Sequence, residues 1–235
     1  MQNKWFEPKP KCVVVCGGKG TRLDPYTGDK AKSMIKIKGK PIIYYIINYW
    51  KAYVSEFIFI LGYKGVDIEN YIKALPVKSK FIYEKSAQGI AKAAFLAKEY
   101  VENNFVLVLG DCLCRGEFVY PSNLVQGVGV WETKESEDIK RSYSIEIKDN
   151  KIVKVVEKPE KLANSYCGLG FYFFNQIFFD SILRTPPSKK TNNVEITDVI
   201  QTMISSGENV SPVILKGKYL NVTYPADLKR AEDVI

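Results

Sequence analysis

Four short runs in the first half of the chain restrict its fold: CVVVC (12–16), FIFIL (57–61), KFIYE (80–84) and FVLVLG (105–110) are nearly all apolar. Strands of that composition need cover on both faces, which a parallel sheet flanked by helices supplies. Between them lie helical patterns at 41–53, with Pro41 in the first turn, at about 65–75 and at 90–102. The order β-α-β-α-β-α-β predicts an α/β fold with a single doubly wound, mostly parallel sheet. After Asp111 the pattern changes: GVGVW, SYSIEIK, IVKVVEK and GLGFYFF (168–174) read as antiparallel strands inserted into the same sheet, and Asp149-Asn150 marks a hairpin. Helices are expected near 175–183 and 194–206, a strand near 212–216, and a closing helix from Pro225 or Ala226 to Val234. The 235 residues, 46% hydrophobic and 26% charged, suit one globular domain.

The chain has no histidine, so triads built on imidazole are excluded. Carboxylates, lysines, arginine and metal ions remain, a set suited to phosphoryl or nucleotidyl transfer, where positioning and charge neutralisation dominate. Cys12 and Cys16 lie in the apolar first strand as small hydrophobes, and Cys112 and Cys114 form C-x-C. Neither a zinc site nor a disulfide framework is expected from that pattern. No apolar run approaches the roughly 18 residues of a membrane helix, so a cytoplasmic protein without a membrane partner is expected. The net charge of +8 agrees with anionic ligands, but no recognised module or basic-aromatic strip points to nucleic acid.

The anion has an obvious destination. The first strand feeds into CGGKGTRLDPYTGDKAKSMIKIKGKP (16–41), and ligands of open parallel sheets sit beyond the carboxyl ends of the strands. Gly17, Gly18 and Gly20 let backbone N–H groups approach phosphate oxygens, with Lys19 among them. Arg22 adds a forked donor and Lys32 a movable point charge. The loop is neither Walker A nor G-x-G-x-x-G, so P-loop ATPase and dinucleotide readings fail.

This stretch resembles the signature of the sugar-1-phosphate nucleotidyltransferases (nucleoside-diphosphate-sugar pyrophosphorylases): an apolar strand, A-G-G-x-G-T-R-L-x-P-x-T, then P-K and K-P. The resemblance continues through VLGDCL (108–113), VVEKP (155–159), GLGFYFFN (168–175), EITDVIQ (195–201) and NVTYPADLKRA (221–231). It implies a Rossmann-like nucleotidyltransferase domain over 1–235, with a nucleotide-binding part at about 11–127 and an acceptor-binding part at about 128–235. By position, Gly17, Gly18, Lys19 and Gly20 would meet the nucleotide phosphates, Arg22 the leaving pyrophosphate and Lys32 the transferring phosphoryl group. Gln88 and Gly89 would touch the base, and Glu157, Lys158 and Gly170 the acceptor. Asp111 and Asn221 would be the magnesium ligands. The implied reaction is in-line attack of an acceptor phosphate oxygen on the α-phosphorus of an NTP, CTP or UTP favoured. A homodimer is the assembly that relatives of this kind often form.

Three departures stand out. Ala31 replaces the usual proline before Lys32, and Ser144 stands where the family often has a glycine against the acceptor, which would reshape that pocket. Asn221 replaces the second metal carboxylate: it keeps one ligating oxygen but loses the charge. A CTP-dependent enzyme with a non-sugar phosphate acceptor and a non-catalytic nucleotide-binding relative are the alternatives. Asp227, Glu195 and Asp198 read as helix-start carboxylates.

Overall fold

A computed structural model describes residues 4–85 and 89–235. In the first half β1 (Lys11–Cys16), β4 (Phe57–Leu61), β5 (Ser79–Tyr83) and β6 (Phe105–Leu109) are all mutually parallel, in the order β5-β4-β1-β6. The connections carry a two-stranded ribbon, β2 (Lys36–Ile37) with β3 (Lys40–Pro41), and the helices α1 (Ile42–Trp50), α2 (Gly65–Lys73) and α3 (Ile90–Phe95). The second half adds β7 (Cys112–Val119), β8 (Gln126–Glu132), α4 (Ser136–Arg141), β9 (Tyr143–Lys148), β10 (Lys151–Glu157), β11 (Tyr166–Phe174), α5 (Ile177–Arg184), α6 (Ile196–Ser205), β12 (Val210–Asn221) and α7 (Pro225–Val234).

The sheet continues from β6 as β11-β8-β12-β7, with the β9-β10 hairpin attached to β11. It is therefore mixed. β11 runs antiparallel to both β6 and β8, and β12 runs parallel to β8 but antiparallel to β7. The expected hairpin is present: Asp149 and Asn150 have φ of +50° and +58°, the pair of left-handed residues that a two-residue type I′ turn requires.

Apolar composition on both faces of β1 has the expected cause. Cys12, Val14 and Cys16 are buried in the core that holds α1, α2 and α7, whereas Val13 is buried in the core that holds α3, α5 and α6. In the first core Trp50 is 1% exposed and its ring lies 5.8 Å from those of Phe118 and Phe171, so α1 is tied to β7 and β11.

The largest departures from the expected elements are four. The 90–102 helix is α3 alone, followed by a single 3₁₀ turn at Lys98–Tyr100. There Val101 turns extended to bury its side chain, and the carbonyls of Tyr100 and Val101 are taken by Lys11 Nζ and Gln176 Nε2 at 2.8 and 2.5 Å. The strand expected at 212–216 is the longer β12, whose second half pairs with β7, a strand the sequence did not announce. Gly116 faces Gly217 in that pairing and charged residues flank both, which breaks the apolar alternation. Helix α4 was likewise not announced.

Trp50→Ala should lower stability by about 3–5 kcal/mol through lost burial and an unfilled cavity. Leu183→Ala, at a side chain 68% exposed, should stay within about 0.5 kcal/mol. Urea unfolding midpoints, compared at unchanged m-value, test both.

Candidate active site

The parallel strands β1, β4 and β6 end at one level: Cys16 is in register with Leu61, and Val15 with Leu109. The chain leaves them as Gly17, Gly62 and Gly110-Asp111. A cavity of about 570 Å³ opens above these ends, lined by Gly17, Gly18, Lys19, Tyr63, Glu84 and Gly89 among others. Val15, Ile90, Ala93 and Leu109 give it an apolar stretch, and Lys32, Lys85 and Asp111 add charge. Gly62 has no substitute here, since a Cβ would fall 2.8 Å from the Cα and the carbonyl oxygen of Gly17. The Glu84 carboxylate lies over both glycines, its Oε1 1.9 Å from where a Cβ on Gly17 would be and 2.7 Å from one on Gly62.

A second cavity of about 500 Å³ lies beside the first, lined by Arg22, Arg141, Glu157, Lys158, Gly170 and Asn221 among others. Four residues line both cavities: Lys32, Ile90, Leu109 and Asp111. At that junction Lys32 Nζ meets Asp111 Oδ2 at 2.5 Å, with only 15% and 22% of the two side chains exposed. Lys32 opens a 3₁₀ turn, Lys32–Met34, and its stem rests on Gly20, where a Cβ would lie 2.9 Å from the lysine Cβ. Gly20 also has φ +75°, which favours glycine. Gly20 thus supports Lys32 from beneath, Gly18 faces open space, and Arg22 is placed on the second cavity, away from the first. Ala31 is fully buried and accepts the turn without proline.

Asp111, in the turn before β7, and Asn221, the last residue of β12, are neighbours: Asn221 is paired with Cys112, and Val222 N donates to Asp111 O at 2.9 Å. Asn221 Oδ1 accepts from Thr223 Oγ1 at 3.1 Å. Among the described residues no three histidine, cysteine or carboxylate side chains converge on a point. One carboxylate with one amide oxygen suits a magnesium ion that takes its remaining ligands from water and substrate phosphates.

On the far side of the second cavity, Glu157 is held by Thr197 Oγ1 at 3.3 Å and Lys158 Nζ at 3.4 Å. Burial raises its carboxyl pKa, partly offset by Lys158. Lys158 itself has φ +43°, a costly conformation for a non-glycine residue, fixed by its N–H donating to Ser142 O at 2.8 Å. Gly170 N donates to Tyr219 Oη at 3.2 Å, and Tyr219 Oη lies 3.1 Å from Cys112 Sγ.

Several residues were not legible in the sequence. Asp227 does start α7, accepting from the backbone N–H groups of Thr223 and Tyr224, both at 2.8 Å. The same Oδ2 also takes Arg141 Nη2 at 2.5 Å, and Arg141 lies over the Tyr224 ring at 4.7 Å. Arg141 is thereby fixed on the cavity wall. No spacing rule links residues 141 and 227. Glu84 was missed because it follows a strand that looked purely structural. Two expectations are corrected. Ser144 is buried against Cys167 in the sheet, and its neighbours Ser142 and Tyr143 line the cavity instead. Glu195 makes no cap bond with α6, since its carboxylate accepts from Thr191 Oγ1 at 2.6 Å. Gln88 lies outside the described residues; Gly89 lines the first cavity.

The nucleotidyl transferase family profile matches residues 11–231. The chain belongs to that family. It is 32% identical over 221 residues to a bifunctional protein GlmU of Methanocaldococcus jannaschii, covering 93% of this chain and 52% of that protein, so it spans about half of that relative. It is 28% identical over 233 residues to the UTP–glucose-1-phosphate uridylyltransferase AglF of Haloferax volcanii, covering 94% of this chain and 95% of that one. A solved UDP-glucose pyrophosphorylase in complex with UDP-glucose superposes with a TM-score of 0.81 at 22% identity, covering 95% of this chain and 97% of that one. The fold is thus the Rossmann-like nucleotidyltransferase fold. Among the described residues no helix is long and apolar enough to cross a membrane.

Asp227→Ala should cost roughly 3 kcal/mol, the scale of breaking a buried ion pair, while Asp227→Asn, which keeps an oxygen for the two N–H groups, should cost less. Urea unfolding of both variants checks the order.

Proposed function

We propose that the protein transfers a nucleoside monophosphate from an NTP to the phosphate of a small phosphorylated molecule and releases pyrophosphate. A sugar 1-phosphate is the first choice of acceptor, in keeping with the printed activity of the Haloferax relative. The observation that carries the reading is the junction: two cavities share a wall at Lys32 and Asp111, where a donor phosphate and an acceptor phosphate could meet.

The nucleotide takes the first cavity, its phosphates toward Gly18, Lys19 and Lys32. The acceptor takes the second, its phosphate toward Lys158 and Arg141 and a hydroxyl donating to Glu157. One acceptor oxygen attacks the α-phosphorus, and the bond to the bridging oxygen of pyrophosphate breaks. A phosphate monoester is already a nucleophile near neutral pH, so no base is needed and the lack of histidine is no obstacle. Lys32 supplies positive charge at the reacting phosphoryl group, exchanging its carboxylate partner for phosphate oxygens, and Arg22, on the wall of the second cavity, adds positive charge on the acceptor side of the junction. Asp111 and Asn221 would hold magnesium, which neutralises charge on the phosphates when bound.

Pyrophosphate release should be measured with magnesium over a panel of NTPs and sugar 1-phosphates, phosphocholine included. Lys32→Ala and Asp111→Ala should each lower the rate about 100-fold or more. Unchanged rates would remove the reading. Asn221→Asp should raise activity at limiting magnesium, because it restores a charged ligand. Silence of both wild type and Asn221→Asp, with nucleotide still bound, would instead identify a nucleotide-binding relative without turnover.

A further inference from the structure

Helix α4 carries a carboxylate and a guanidinium on one face that pair elsewhere. Asp138 and Arg141 stand three residues apart with the acid first, the spacing at which helical side chains form ion pairs. Their neighbours on α4 do so: Lys140 Nζ meets Glu137 Oε1 at 2.9 Å. Arg141 instead reaches α7, at Asp227 Oδ2. Asp138, its side chain 11% exposed, is taken by Arg230 of α7, which donates from Nη1 and Nη2 to the two oxygens at 3.0 and 2.7 Å. Such a bidentate fork occupies both carboxylate oxygens at once. Arg230 also serves Asp227: its Nη1 lies 3.7 Å from Asp227 Oδ1, a buried oxygen with no hydrogen bond. Two carboxylates and two guanidiniums thus cross-link α4 and α7. Asp138 and Arg141 both border a small cavity of about 20 Å³, space in which the Arg141 head could turn toward Asp138.

Resting on the function proposed above, in which Arg141 anchors the acceptor phosphate, we infer that Arg230 is a positioning residue for acceptor binding: by occupying Asp138 it keeps Arg141 from folding back along its own helix. Arg230 lines neither large cavity, so it acts through Arg141 and not on a substrate. Without it, Asp138 is a largely buried charge that has lost its interhelical partner, a costly state. Arg141 is then the cation at the right spacing on the same face of α4. Turning to Asp138 would take Arg141 off Asp227 and off the Tyr224 ring, the two contacts that hold it on the wall of the acceptor cavity.

The test uses the NTP and acceptor that give the fastest pyrophosphate release in the panel above. Arg230→Met keeps the stem and removes the charge at a side chain 41% exposed. It should raise the KM of the acceptor about tenfold, the scale of one hydrogen bond to a charged group. The KM of the NTP, and kcat at saturating acceptor, should stay within about twofold, because only acceptor binding is weakened. Adding Asp138→Asn to Arg230→Met removes the competing charge and should return the acceptor KM to within about threefold of wild type. A brace that merely holds α4 to α7 predicts a double variant no better than the single one, since both lack the interhelical pair. That result, or an acceptor KM that Arg230→Met leaves unmoved, would overturn the inference. Crystals of Arg230→Met read the cause directly: Arg141 should lie within about 4 Å of Asp138, the reach of an ion pair. Arg141 still seated on Asp227 would refute the inference even where no substrate pair is turned over. A wild type that turns over no pair would count against the proposed function, and the position of Arg141 in those crystals would still decide whether Arg230 withholds Asp138 from it.

Discussion

Strands β1, β4 and β6 are buried on both faces, and this constraint organises everything above them. A strand whose side chains all serve packing has none left for chemistry, so reactive groups must come from the residues that follow it. Gly17, Gly62 and Asp111 are those residues. Because β1 is in register with both neighbours, they emerge at one level and make a floor of backbone. The two cavities stand on and beside that floor.

Electrostatics then decides what the floor can hold. Lys32 and Asp111 face one another, a pairing that neither leaves a buried charge unmatched nor commits the lysine permanently. Arg141 is treated differently. It is clamped by Asp227 and backed by Tyr224, so its position is set before any ligand arrives. One cation is free to exchange partners and the other is preorganised, the division of labour expected of a transfer centre and an anchoring site.

The parallel half of the fold was legible because CVVVC, FIFIL and FVLVLG leave only one way to cover two apolar faces. The glycine-rich loop was legible as part of the cavity wall because it follows the first strand: Gly17, Gly18 and Lys19 line the first cavity. The β7-β12 ribbon was not, since Gly116, Gly217 and the lysines around them erase the alternation on which strand reading depends. Glu84 and Arg141 escaped for another reason: their roles arise from tertiary neighbours, Gly17 and Gly62 in one case and Asp227 in the other, distant along the chain. Gly20 was read as a phosphate contact, and that it also underlies Lys32 is something only the path of the chain reveals.

The shared wall has a thermodynamic corollary. Lys32 and Asp111 belong to both cavities, so the first ligand to arrive changes the charge that the second one meets. By linkage, whatever factor a bound nucleotide applies to acceptor affinity, the acceptor returns to nucleotide affinity unchanged. An ordered addition of substrates at this junction would then be a kinetic preference laid over a reciprocal equilibrium, with the lysine-carboxylate pair as the common term in both binding constants.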